Sequence, residues 1–297
     1  MQTVKVQNPQ FPAGLFSALF AVVLWAAAPL LIDLASAIPP LQLTAITLLA
    51  GAVATIPLSL GKRAPARPLS PQWTLVIYGL IPLLVLGAVG AYLFGLGMAP
   101  TAEAALVTYT WPVLFVVVSQ WLTRGRVAGA VLGGAAIAFF GAAVLLGPDA
   151  IRNGISGNFA GYGLALLAGC CWALYSWICQ VTPVRLAPLM PTLFLIASGV
   201  AAAAGLMSGM TVTAPELAPL AAGITLGAGP YGLAMVSWDV ALRAGPTGLV
   251  GSLAYGVPVL AAFFLVAAGV TTPGWDLPLA ATLVVAGSLV ASKGPRA

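Results

Sequence analysis

The sequence has no histidine and almost no charge, with 11 Lys and Arg and 6 Asp and Glu among 297 residues. A water-soluble domain usually carries about 25% charged residues, against 6% here. That is too little to give a core of this size a water-compatible surface, so lipid must serve as part of the solvent. Without histidine, HExxH or paired mid-span carboxylates there is no nucleophile–base pair and no metal-ligand set, so neither an enzyme nor a metal site is expected. No GxxxxGK(S/T) loop occurs, which excludes an ATP-driven pump within the chain, and no cofactor is expected. Cysteine is scarce too. Cys170, Cys171 and Cys179 share one apolar stretch without the spacing of a disulfide framework or a zinc site, and are expected to be small, buried packing residues. The formal net charge of +5 is spread singly or in short loop clusters. No basic face with interleaved aromatics results, so no nucleic-acid partner is expected.

What the sequence has in abundance is long apolar runs. Ten stretches lie near the crossing length of about 20 residues: 13–34, 39–60, 72–98, 100–121, 126–147, 158–180, 187–208, 215–242, 246–268 and 273–292. The first exceeds the roughly 7–15 apolar residues of a signal peptide and further spans follow it, so it is expected to be retained as a helix. With the N-terminus placed in the cytoplasm, ten of the eleven basic residues fall on the cytoplasmic side and Arg152 alone lies outside, as the positive-inside rule requires. Both termini are therefore expected in the cytoplasm of a multi-pass protein of a bacterial inner (plasma) membrane, with the bilayer as its solvent and a monomer as its simplest unit. The carboxylates Asp33, Glu103 and Asp239 stand within about two turns of expected span ends, and Asp239 precedes Arg243 by four residues, the spacing of a helical ion pair.

The second half echoes the first at a shift of 146 to 148 residues. Gly14 and Trp25 answer to Gly161 and Trp172; Tyr109 and Pro112-Val113-Leu114 answer to Tyr255 and Pro258-Val259-Leu260; Gly141 answers to Gly287. Five spans are an odd number, so the second copy must cross the membrane upside down relative to the first. Inverted repeats recur in secondary transporters, whose solute sites lie near the midplane between the halves. The expected organisation is an all-α membrane protein: a cytoplasmic tail over 1–12, a first five-helix repeat over 13–147, a linker over 148–157, an inverted second repeat over 158–292, and a tail over 293–297, around a central cavity.

These features resemble a known family. A Trp in the first helix of each five-helix half, and a Pro-Val-Leu step in the fourth, look like the drug/metabolite transporter superfamily in its EamA-type ten-helix branch. Leu24-Trp25 leading to Ala28-Pro29-Leu30-Leu31-Ile32, with Tyr109-Thr110-Trp111-Pro112, is similar to the aromatic amino acid exporters of the YddG type. The branch's acidic ending to the fourth helix is replaced here by Leu122-Thr123-Arg124-Gly125. The resemblance implies export of small organic solutes, aromatic amino acids first. The alternatives are another neutral metabolite, a drug-like solute, or a passive pore.

Tryptophan and tyrosine normally collect at the membrane–water interfaces. Trp73, Trp121, Trp177, Trp238 and Trp275 are expected there, near span ends, whereas Trp25, Trp111, Trp172, Tyr109, Tyr231 and Tyr255 fall close to mid-span. A mid-membrane indole N–H or phenol O–H needs a partner, in a cavity or across a dry helix–helix contact. Trp25, Tyr92, Thr108, Tyr109, Trp111, Trp172, Tyr231, Ser252 and Tyr255 form the expected solute-binding set. Thr108 is included because Pro112 deprives its carbonyl of a donor, and Pro112 and Pro258 are the expected hinges, or else plain packing kinks. The four-residue recurrences Gly125, Gly129, Gly133 and Gly223, Gly227 are expected to let helices pack closely. No Lys, Arg or His lies at mid-span, where proton-driven carriers usually keep an ionisable group. Downhill export without proton coupling is therefore expected.

Overall fold

The computed structural model describes residues 11–60, 69–153, 159–210, 212–267, 272 and 274–293. The expected terminal tails, apart from a few residues, and Lys62, Arg63 and Arg67 lie outside the described residues. Among the described residues every regular element is a helix. Among those residues, nine helices are long and apolar enough to cross a membrane: Pro12–Leu34, Pro40–Ser59, Pro71–Met98, Glu103–Arg124, Gly129–Leu146, Phe159–Val181, Ala187–Met207, Leu217–Ala244 and Thr247–Phe264. They are spans one to nine below. Asp276–Ser292, span ten, is shorter at 17 residues, about 25 Å at the usual rise of an α-helix. The helix of span five continues to Asn153, into the segment expected to be a linker.

Where the spans are irregular, a proline explains it. Span one divides at Ala27 into Phe11–Ala26 and Ala28–Leu34, just before Pro29. Span four divides at Tyr109 and Thr110 into Thr101–Thr108 and Trp111–Arg124, just before Pro112. Span nine divides at Ala254 and Tyr255 into Thr247–Leu253 and Gly256–Ala267, just before Pro258. Each proline lacks an N–H and its ring crowds the carbonyl four residues earlier, so the ladder opens there. Spans three and eight instead widen into π-helical turns, Val76–Leu80 and Gly229–Leu233, beside Pro82 and around Pro230.

The spans pair across the two halves of the sequence. Span three packs along span six, span one along span eight, span two on span seven and span five on span ten. Small residues permit these approaches. A β-carbon on Gly14 would sit 2.8 Å from the backbone of Ala244 and Gly245, and one on Gly161 would sit 2.8 Å from Met98 and Ala99. Gly134 and Gly287 face one another between spans five and ten, and Gly227 lies on the carbonyl of Thr47, where any side chain would overlap it.

Three sequence expectations are corrected here. A β-carbon on Gly125, Gly129 or Gly133 would meet nothing within 4 Å, so these glycines do not mediate close packing. Gly125 instead ends its helix at φ 69°, a left-handed cap that glycine adopts without penalty. Cys170 is exposed, and only Cys171 and Cys179 are buried. Trp238 is not at an interface: it is wholly buried in the core, whereas Trp121 and Trp275 are 62% and 76% exposed.

Candidate functional site

The breaks in spans one and four, and the π turn of span eight, come together around one central cavity. Span one contributes Trp25, Ala28 and Pro29, and span four contributes Thr108, Tyr109 and Trp111. Tyr92 from span three, Trp172 from span six, Tyr231 from span eight and Val257 from span nine complete it. Seven of the nine expected solute-binding residues thus share one cavity of about 70 Å³. Ligand pockets generally run to about 300–1,000 Å³, and a space of this size suits a few waters. A solute as large as an amino acid therefore requires the rings to part.

The floor of the cavity is a cluster of indoles. Trp25 meets Trp111 edge-on at 6.2 Å between centroids, Trp172 edge-on at 5.6 Å and Trp238 at 5.1 Å. Trp111 also meets Trp238 at 5.6 Å, and Tyr231 stacks on Trp172 at 6.4 Å. Edge-to-face contacts bring the positive edge of one ring to the negative face of the next, which fixes the cluster as a unit. The sequence conceals Trp238 because a tryptophan about one turn from an expected span end looks interfacial.

Hydrogen bonding separates structural groups from free ones. Trp25 Nε1 donates to the carbonyl of Pro230 at 2.8 Å, satisfying a carbonyl in the π turn where the regular ladder is lost. Trp238 Nε1 donates to Ser176 Oγ at 3.0 Å. Thr108 Oγ1 donates to the carbonyl of Ala165 at 3.1 Å. The carbonyl of Thr108 lies over Gly169, 3.1 Å from where a β-carbon would stand, and Pro112 supplies it no N–H. By contrast Tyr92, Tyr109, Tyr231, Trp111 and Trp172 line the cavity, and their hydroxyl and indole N–H groups bond to no described residue. They are donors left over for a bound molecule.

Ser252 and Tyr255 do not join the cavity. Ser252 is fully buried and its Oγ donates to the carbonyl of Gly248, one turn back, at 2.7 Å, a common habit of serine in helices. Tyr255 is fully buried in a second cluster with Ala138, Ala142 and Val284, its ring edge-on to Phe139 at 5.9 Å.

Charged groups lie at either side of the cavity and are engaged in protein contacts. Arg243 donates from Nε to Asp239 Oδ1 at 2.9 Å, and from its other nitrogens to the carbonyls of Thr182 and Val184 at 3.3 and 2.6 Å. The helical ion pair expected from their spacing is thus present and also ties span eight to the connection after span six. Toward the other face Tyr162 donates to the buried carboxylate of Glu103. Gln180 links Ser119 of span four to Thr247 of span nine at 2.5 and 2.8 Å. No group of three or more potential metal ligands occurs among the described residues.

Residues 12–147 match the EamA-like transporter family. The chain is 33% identical to an aromatic amino acid exporter, YddG, of Ancylobacter novellus over 279 residues, which cover 92% of this chain and 94% of that protein. It also superposes on a solved crystal structure with a TM-score of 0.79 and 30% identity, over 95% of this chain and 97% of the other. With its apolar helices and central aromatic cavity, the chain is a membrane transporter rather than an enzyme, and it belongs to the EamA-like transporter family.

Proposed function

We propose that this protein exports aromatic amino acids across a bacterial inner membrane, by alternating access between two inverted five-helix repeats and without proton coupling. The observation that carries the proposal is the cavity itself: indole and phenol rings from both halves, with free N–H and O–H donors, around a space at mid-span. Ring faces suit a planar apolar side chain, and each aromatic pair adds about 0.5–1.5 kcal/mol beyond burial. The donors suit a carboxylate, which no buried cation awaits. The activity of the Ancylobacter relative, an aromatic amino acid exporter, fits the same chemistry.

The reciprocal pairings of spans one with eight and three with six, and of Gly14 and Gly161 with opposite span ends, support the inverted repeat, with span ten as its last helix. The asymmetry of basic residues supports both termini in the cytoplasm. Asp239 is bound by Arg243 and Glu103 by Tyr162, which supports downhill flux rather than proton drive.

The test is flux in proteoliposomes across aromatic amino acids, other amino acids and neutral metabolites. Saturable flux of tryptophan, phenylalanine and tyrosine, unchanged by collapsing a proton gradient, is expected. Flux confined to other solutes overturns the substrate, strict dependence on the gradient overturns the energetics, and unsaturable flux makes the protein a pore.

A further inference from the structure

We propose that the protein carries a second solute subsite, at the face where an exported molecule enters: Arg243 and Thr182 receive its carboxylate there before it reaches the aromatic cavity. This rests on the export reading above and supplies the cation that the central cavity lacks. The two residues stand where spans eight and six end, the cytoplasmic face of that reading. Thr182 follows Trp172, which lines the cavity, by ten residues, about 15 Å along a helix. The subsite is therefore separate from the cavity.

Arg243 is only partly engaged by its protein partners. A guanidinium has five N–H groups. Three are used, by Asp239 Oδ1 and by the carbonyls of Thr182 and Val184. One N–H on Nη1 and one on Nη2 remain without a described partner, on a side chain that is 24% exposed. Asp239 is buried and also accepts from the backbone N–H groups of Leu186 and Ala187, so its charge does not depend on the arginine alone. Arg185, exposed in the same connection, adds a second positive charge nearby. Every other Asp and Glu falls on the opposite face in that reading, so no second acid competes for the guanidinium.

The Thr182 hydroxyl points the same way. Thr182 is 4% exposed and its Oγ1 bonds to no described residue. Thr44, Thr55, Thr110 and Thr225 each bond back to a carbonyl three or four residues earlier, the usual way to satisfy such a hydroxyl. Thr182 does not, although the carbonyl of Ile178 takes its backbone N–H at 2.9 Å. A buried polar atom left unpaired is costly, and valine would fill the same volume without that cost. The carbonyl of Thr182 accepts from Arg243 at 3.3 Å, so hydroxyl and guanidinium lie within one residue's reach. Two spare guanidinium N–H groups and one O–H form a donor set that a carboxylate complements, through charge-assisted bonds about twice as strong as neutral ones. The phosphate of a lipid headgroup offers the same anionic oxygens, and the experiment separates the two.

The test uses the full chain in phosphatidylcholine vesicles of defined sidedness, with tryptophan supplied at the face of Arg243. Thr182→Val removes a hydroxyl that bonds to no described residue, so the melting temperature is expected to stay unchanged or rise. Half-saturating tryptophan is expected to rise roughly 2- to 12-fold, with a smaller effect on maximal flux, and Thr182→Ser to restore it. Inhibition of tryptophan flux by L-tryptophanol, which has a hydroxymethyl group in place of the carboxylate, is expected to be unaltered by either change. An unmoved half-saturation in Thr182→Val overturns the proposal, as does an equal loss for tryptophan and L-tryptophanol, the mark of general damage. An effect that appears only when phosphatidylglycerol is added assigns the site to a lipid headgroup and overturns it too. Should Thr182→Val fail to fold, Arg243→Lys, which keeps a charge opposite Asp239 with fewer N–H donors, is read in the same way. If the unmodified protein carries no tryptophan, the transport reading fails and this proposal with it; flux without a Thr182 effect removes the proposal alone.

Discussion

The indole of Trp25 donates to the carbonyl of Pro230 at 2.8 Å, joining the middle of span one to the π turn of span eight. It is a direct hydrogen bond between the two halves at the cavity wall. Trp25→Phe keeps a ring but strands a buried carbonyl, at a cost of about 1–3 kcal/mol. Thermal unfolding in detergent is expected at a lower temperature, in a protein that remains monodisperse in the cold. An unchanged melting temperature contradicts a structural role for this bond.

Trp111 contacts Trp25, Trp172 and Trp238 and also offers a free N–H to the cavity. Trp111→Ala is expected to abolish measurable aromatic amino acid flux while the protein still elutes as a folded species. Tyr231→Phe removes only one neutral donor, worth about 0.5–1.5 kcal/mol. Its apparent KM for tryptophan is expected to rise by roughly 2- to 12-fold, with little change in melting temperature.

Asp239 is held at 2% side-chain exposure by Arg243, itself 24% exposed. Removing the arginine leaves the buried carboxylate only its backbone hydrogen bonds from Leu186 and Ala187, a loss below the roughly 3–5 kcal/mol of a wholly uncompensated buried charge, and smaller still where solvent reaches the pair. Arg243→Gln is expected to lower thermal stability, and the double variant Asp239→Asn, Arg243→Gln to recover part of the loss. A double variant no more stable than Arg243→Gln alone removes the electrostatic explanation.

The spans and their breaks are legible in the sequence because their causes are local. A run of about 20 apolar residues suffices for a span, and Pro29, Pro112 and Pro258 each open the helix at a position set by their own missing N–H. Five cavity residues, Trp25, Tyr109, Trp111, Trp172 and Tyr231, are legible because mid-membrane Trp and Tyr need partners, and Thr108 because Pro112 leaves its carbonyl without a donor. Helix phase is not. Cys170 and Cys171 are adjacent, yet one faces out and the other in, since successive side chains point about 100° apart. The same uncertainty puts expected close packing at Gly133 when it occurs at Gly134. Ser252 escapes the reading because a serine hydroxyl in a helix can bond one turn back and leave the site altogether. Trp238 looks interfacial because position along a span gives depth and not the neighbouring helices that bury it.

Gly227 lies against the carbonyl of Thr47, between spans eight and two. Gly227→Ala cannot be absorbed by a flexible side chain, because the obstacle is backbone. A loss of about 1–3 kcal/mol or more is expected from such overpacking, read as a lower melting temperature, whereas Gly129→Ala, in open space, is expected to leave it unchanged or raise it slightly.

The location of a bound solute is decisive. Crystals grown with 5-bromotryptophan, with the bromine found by anomalous scattering, are expected to place the halogenated ring among Trp25, Trp111 and Trp172, with those rings drawn apart from their present spacing. Bromine found only on the lipid-facing surface, with the three indoles still closed on one another at saturating solute, would contradict a central aromatic binding site.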